Sequence, residues 1–197
     1  PTREDIPAKI QQRNKRSSFE RFGPYVLEER LGRGGMAEVF TARHVGAAGF
    51  ERTVCLKKIL PQLSMDGDFR ELFTREARVA GRLSHNNIVQ FHDCIEDGHA
   101  LALVMEFVDG MDLRAMIKMT QERRRPIPVS IIAYVAGQIL SGLKYAHSKQ
   151  VIHRDISPHN ILLSKNGEVK LADFGVAKAM LTQATRTGDL KGKLAYM

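Results

Sequence analysis

The chain has 197 residues, 43% hydrophobic and 26% charged, with a net charge of +8. That is a soluble globular composition, enough for one domain or two small lobes, and no run reads as long and apolar enough to span a bilayer. The only cysteines, Cys55 and Cys94, lack metal-ligand spacing and cannot build a disulfide framework, which points to a reducing compartment.

Residues 1–24 read as a polar, basic lead-in carrying Arg13, Lys15, Arg16 and Arg21. With Arg123-Arg124-Arg125 they supply much of the positive charge, as a solvated tail and loop and not as the organised basic face that nucleic acid needs. Tyr25 to Leu31 reads as a strand, broken by Gly32-Arg33-Gly34-Gly35 and resumed from Ala37 to His44. Thr53 to Ile59 is a third strand. Asp68 to Ser84 is a helix whose apolar stripe is Phe69, Leu72, Phe73, Ala77, Ala80 and Leu83, at spacings of three and four. Ile88 to Ile95 and Ala100 to Val108 are further strands, the second ended by Asp109-Gly110. A short helix starts near Asp112, and after Pro126 and Pro128 a long helix runs from Val129 to Lys149. Strands first and helices later give an α+β chain of two lobes, with 25–105 as the smaller lobe, 106–110 as the hinge and 111–197 as part of the larger.

The last third carries the densest chemistry. Asn166-Gly167 signals a two-residue hairpin within residues 161–172, because both turn positions need positive φ. Centred there, the hairpin sets Asn160 opposite Asp173, two oxygen ligands at its open end that suit a hard cation such as Mg²⁺. Asp155 lies one short loop away. In the smaller lobe, the glycines at 32–35 let backbone N–H groups approach phosphate oxygens. Cys55 and Lys57 share one strand face. Glu76 sits inside the apolar stripe of its helix, where a carboxylate is costly unless paired, and Lys57 is the expected partner.

His153-Arg154-Asp155-Ile156-Ser157-Pro158-His159-Asn160 followed by Asp173-Phe174-Gly175 resembles the H-R-D-x-x-x-x-N and D-F-G motifs of protein kinases. Gly32-Arg33-Gly34-Gly35-Met36-Ala37-Glu38-Val39 matches that family's glycine-rich loop except that Ala37 stands for the third glycine, and Val54-Cys55-Leu56-Lys57 stands where the family has V-A-I-K. From about Tyr25 to Met197 the chain is similar to the eukaryotic-like, bacterial Hanks-type serine/threonine kinases. The resemblance implies a two-lobed kinase fold and ATP-dependent transfer of the γ-phosphoryl group to Ser or Thr of protein substrates, with Mg²⁺. It implies Asp155 as the base, Asn160 and Asp173 as metal ligands, and Lys57, held by Glu76, on the α- and β-phosphates. Gly32, Gly34, Ala37 and Val39 would cover the phosphates and Cys55 the adenine. Met105 would be the gatekeeper, Glu106 and Val108 would meet the adenine edge, Asp112 the ribose, and Leu162 would lie under the base. Arg154 would pair with a phosphorylated residue among Thr182, Thr185 and Thr187. His153 and Phe174 are expected to pack and do no chemistry. A cytoplasmic location follows, alone or as part of a larger, membrane-anchored chain.

Two departures stand out. The serine/threonine branch usually has Lys two positions after the catalytic Asp, where this chain has Ser157, and Thr after the glycine at 192, where it has Lys193. Lys193 is therefore expected to supply the cation that Ser157 cannot. Ser157 also leaves tyrosine specificity open and is the one feature favouring a pseudokinase that binds nucleotide or scaffolds without turnover. The chain stops before the A-P-E motif, and the expectation is a fragment with an exposed apolar patch on its long helix, inactive without the rest of its larger lobe.

Overall fold

Alternating apolar and polar residues make the first half of the chain a sheet. The computed structural model describes residues 20–46 and 49–174. Most of the basic lead-in and residues 175–197, which include Gly175, Thr182, Thr185, Thr187 and Lys193, lie outside the described residues. The strands of the first lobe are β1 (Arg21–Phe22), β2 (Tyr25–Arg33), β3 (Ala37–Val45), β4 (Glu51–Ile59), β5 (Phe91–Asp97) and β6 (Ala100–Glu106). They pair antiparallel in the order β1-β2-β3-β4-β6-β5.

Each face of this sheet has its own core, as a period of two requires. Phe22, Tyr25, Leu27, Ala42, Val54, Leu56, Ala102 and Val104 form one. On the other face Ala37, Ile59, Leu101 and Leu103 meet Phe69, Phe73 and Ala77 of helix α2 (Gly67–Ala80). Between β4 and α2 lies a single turn, α1 (Pro61–Ser64), not foreseen in the sequence. Asp66 caps α2 by accepting the Phe69 N–H at 3.1 Å. The helix stops at Ala80, short of the expected Ser84, because Gly81 ends it and Leu83 turns into the core of the second lobe.

The second lobe contains β7 (Gly110–Asp112), α3 (Leu113–Glu122), α4 (Val129–Ser148), a 3₁₀ turn at Pro158–Asn160, β8 (Ile161–Ser164) and β9 (Val169–Leu171). Its small sheet has the order β7-β8-β9. Strand β7 follows the hinge directly, and only glycine fits at its first residue: a Cβ on Gly110 would lie 1.9 Å from the Leu163 carbonyl oxygen. Gly110→Ala should therefore cost about 2–3 kcal/mol in urea unfolding, since the sheet must part to admit a methyl group. Unchanged stability would contradict this packing.

The hairpin differs from expectation by one residue. Ile161 pairs with Leu171, Leu162 with Lys170 and Leu163 with Val169. Ser164 and Glu168 close the loop through a 2.9 Å backbone bond, and within it Gly167 has φ of 85° while Asn166 has no positive φ. A type I′ turn needs positive φ at both positions, so the loop has three residues, with glycine in the left-handed one. Ser164 Oγ accepts the N–H groups of Asn166 at 3.2 Å and Glu168 at 3.0 Å, which favours the longer loop. In consequence the Ala172 N–H bonds the Asn160 carbonyl at 2.8 Å, and Asp173 falls one residue past the partner of Asn160.

Two further expectations change. Strand β5 begins at Phe91, not Ile88, because the preceding residues bond across to the second lobe: Val89 N–H donates to Leu171 O and Leu171 N–H to Asn87 O, both at 2.9 Å. And α4 is, by length and composition alone, long and apolar enough to cross a membrane, contrary to the reading that no run is. One side of it is engaged: Val135 and Ala146 are buried with Leu83, Ile88, Ile161, Val169, Leu171 and Phe174. The exposed apolar patch expected on this helix is present at Val129, Ile132 and Leu140.

Candidate active site

Register in the first sheet lines up the upper wall of a cleft. Val39 pairs with Lys57 and Lys57 with Leu103, while Thr41 pairs with Cys55 and Cys55 with Met105. Paired residues share a face, so Val39, Cys55, Lys57 and Met105 project to the same side, next to the area covered by α2. Burial pushes the Cys55 thiol up to about 11, the Asp173 charge adding to the effect and Lys57 opposing it, so this cysteine is an unreactive thiol filling space. In the turn from β2 to β3, Gly32 pairs with Val39 and the Gly34 N–H bonds the Ala37 carbonyl at 2.8 Å. The Ala37 methyl is buried in the core beneath α2, so any contact it makes in the cleft comes from its backbone.

Lys57 reaches across the lobes. Its Nζ lies 2.7 Å from Asp173 Oδ1, a contact between residues 116 apart in sequence. Asp173 has φ of 59°, in the left-handed region, which turns its carboxylate out of the line of β9 toward Lys57. Burial alone would raise the Asp173 carboxyl, but the charge of Lys57 and its hydrogen bond hold it below the usual carboxylate range. The expected Lys57–Glu76 pair is not made. Glu76 is half-buried beside Phe73 and Ala77 and forms no salt bridge among the described residues. A second carboxylate, delivered by the bend at Asp173, takes the ammonium instead.

The other half of the site is the loop before β8. Asn160 is buried, and its Nδ2 donates to the Asp155 carbonyl at 2.8 Å and to Asp155 Oδ2 at 3.0 Å. Asn160 is held in turn by the 3₁₀ turn, its N–H bonding Ser157 O at 2.9 Å. His153 is 1% exposed and its ring centroid lies 4.4 Å from that of Phe174. Its Nε2 donates to the Ala172 carbonyl at 2.9 Å while Nδ1 accepts the Asp155 N–H at 3.3 Å, the pattern of a neutral ring that orients Asp155. Arg154 beside it has φ of 66°. Ser157 is buried, and its Oγ has no hydrogen-bond partner among the described residues.

Burial pushes the His153 imidazole below its ordinary 6.5, the Ala172 hydrogen bond opposing this only in part. The unfolded chain therefore takes up the proton first as pH falls. The stabilisation is complete above pH 6.5 and is lost as pH drops from there through the lower folded-state value. His92, lowered by burial and by Arg52, acts in the same direction. Urea unfolding at about pH 7.5, 6.5 and 5 should show stability declining below 6.5. A flat profile over that range would contradict the neutral His153.

Of the other expected residues, Glu106 ends β6, Val108 follows in the hinge, and Met105 lines a cleft with Leu103, Leu171, Asp173 and Phe174. Asp112 pairs with Leu162 across β7 and β8. Its carboxylate caps α3 by accepting the Ala115 N–H at 2.6 Å, and His159 Nδ1 lies 3.6 Å from its Oδ2. Sequence reasoning missed the ion pair of Lys170 with Glu106, 2.8 Å apart, and Asn87, whose Nδ2 bonds Gln138 Oε1 at 2.7 Å and Val169 O at 3.0 Å. A lysine between two core residues of a short strand was the available signal for the first; the second had none, because an Asn before a strand reads as a turn former.

Comparison with known proteins agrees with this geometry. The family model described as the protein kinase domain matches residues 25–197. The chain is 41% identical over 185 residues to the tyrosine-protein kinase MasK of Myxococcus xanthus, covering 89% of this chain and 29% of that protein. It is 41% identical over 177 residues to the serine/threonine-protein kinase PknH of Mycobacterium tuberculosis, covering 89% of this chain and 27% of that one. The crystal structure of the Mycobacterium tuberculosis PknI kinase domain superimposes with a TM-score of 0.67 at 33% identity, over 82% of this chain and 63% of that one. The chain thus spans less than a third of the length of these curated relatives.

Proposed function

This chain belongs to the protein kinase family, and on that premise we propose that it transfers the γ-phosphoryl group of ATP to Ser or Thr hydroxyls of protein substrates. The observation that carries this reading is the Lys57–Asp173 contact, which brings a cation of one lobe and a carboxylate of the other to one cleft beside Asp155 and Asn160. Lys57 holds the α- and β-phosphates, under the turn of Gly32, Gly34, Ala37 and Val39. Cys55 and Leu162 enclose the adenine, Met105 stands behind it, Glu106 and Val108 meet its edge, and Asp112 meets the ribose.

Asn160 and Asp173 fit a divalent cation. Asp173 is a carboxylate held ionised, and the Asn160 amide, its nitrogen turned to Asp155, keeps Oδ1 as its remaining acceptor. Mg²⁺ bound there would offset the negative charge of the phosphate oxygens. Asp155, oriented by Asn160 and His153, accepts the proton of the substrate hydroxyl as its oxygen bonds to the γ-phosphorus and ADP leaves. Glu76, half-buried on α2, would serve as the alternative partner of Lys57 with a metal held by Asp173.

Lys193, outside the described residues, would supply the remaining cation. Ser157 brings no cation, and its buried hydroxyl has no hydrogen-bond partner among the described residues, whereas a transferring phosphoryl group needs positive charge around it. Lys193→Ala should lower kcat by about tenfold or more, and adding Ser157→Lys should recover part of the loss. A silent Lys193→Ala would remove it from the mechanism. Phosphorylation among Thr182, Thr185 and Thr187, the phosphate pairing with Arg154, raises activity. Phosphoamino-acid analysis of the full-length protein after incubation with ATP tests the acceptor: label on Ser and Thr is expected, and label confined to Tyr would overturn that assignment.

A further inference from the structure

Lys170 and Glu106 form a buried ion pair between the hinge and β9. Lys170 Nζ lies 2.8 Å from Glu106 Oε1 and 3.2 Å from Oε2, with the lysine side chain 9% exposed and the glutamate 28%. Glu106 Oε2 also accepts the Gln90 N–H at 3.1 Å, and the Glu106 N–H donates to the Gln90 carbonyl at 2.8 Å. The Glu106 peptide is thus held from both its backbone and its side chain. Register sets Asp112, Leu162 and Lys170 side by side across β7, β8 and β9, hence on one face of the small sheet. Lys170 therefore emerges on the nucleotide side, beside the residue under the base, and three positions before Asp173.

A buried ion pair is weak evidence for stability, since an apolar pair of similar shape often serves as well; its better-attested use is to fix one arrangement over others. We propose that Lys170 is a positioning residue for adenine recognition: through Glu106 it fixes the hinge peptide against the base and ties it to the strand that delivers Asp173. This rests on the ATP reading above. With Lys170 removed, the Glu106 carboxylate is left buried against Gln90 alone and draws toward water, taking the hinge peptide with it.

The test is steady-state kinetics of the full-length protein with ATP and with GTP, for Lys170→Met, Glu106→Gln, their double variant and Lys170→Arg. Each of the first two should raise KM for ATP about fivefold or more, change kcat by less than about twofold, and narrow the preference for ATP over GTP. The double variant should be no worse than the poorer single, because both break one interaction, and Lys170→Arg should stay within about twofold of the parent. An unchanged KM, a lower kcat with KM and nucleotide preference intact, or multiplying effects in the double variant would overturn the proposal. The lower kcat alone is what a loss of folded molecules produces. If the parent protein transfers no phosphate, the kinase reading fails, and ATP affinity across the same variants then decides the positioning claim by itself.

Discussion

Asp155→Asn should lower kcat by about 10²–10⁴-fold while leaving the affinity for ATP close to that of the parent. The carboxylate is half-buried, and its Oδ2 already accepts a hydrogen bond from Asn160. Asn at this position keeps the shape but cannot take the proton of an incoming hydroxyl. It would also turn an amide toward the Asn160 amide, so one of the two must rotate. A variant that keeps more than about a tenth of the parent kcat would show that proton acceptance at Asp155 is not what the site depends on.

Lys57→Met should have the second large effect, a fall in kcat/KM of about 10²–10³-fold with a loss of stability. Lys57 is 15% exposed and Asp173 33%, so the pair is partly screened, and removing the lysine should cost about 2 kcal/mol, below the cost for a fully buried pair. The sign of the pH dependence follows from Asp173. Its folded-state value is held below the ordinary 3.8, so the stabilisation is present above 3.8 and is lost as pH falls through the lower value. Lys57→Met should remove that acid-side loss. Lys57→Met with Asp173→Asn should recover most of the stability and none of the activity, because it leaves no uncompensated charge. Additive stability losses in urea unfolding of the two single variants would contradict the pairing.

Much of this was legible in the residues. Alternation and the glycine break placed β2 and β3, the apolar run of Ala100 to Val108 placed β6, and the three-four stripe placed α2, which buries one side only. The spacing from Asp155 to Asn160 brought those two together because a short turn can close over five residues. What failed depended on choices between near-equal local options. Asn166-Gly167 reads as a two-residue turn, yet the Ser164 hydroxyl offers two backbone N–H groups a better partner in a loop one residue longer. That single step moved Asp173 out of register with Asn160, and the left-handed bend at Asp173 then carried it to Lys57. Glu76 and Asp173 are both carboxylates suited to Lys57, and sequence spacing has no means of ranking partners that meet only in the folded chain. The partner of Lys170 was hidden for the same reason: its place between Val169 and Leu171 signals burial, but Glu106 meets it only when the hinge folds over β9.

The most direct test of phosphoryl transfer is to give the full-length protein γ-labelled ATP and Mg²⁺, beside its Asp155→Asn variant, and to follow label on protein. Label on Ser or Thr is expected in the parent protein and its loss in the variant, with both binding ATP. ATP bound by the parent protein with no label transferred under any divalent metal would contradict it, and would make the cleft a nucleotide-binding site without turnover.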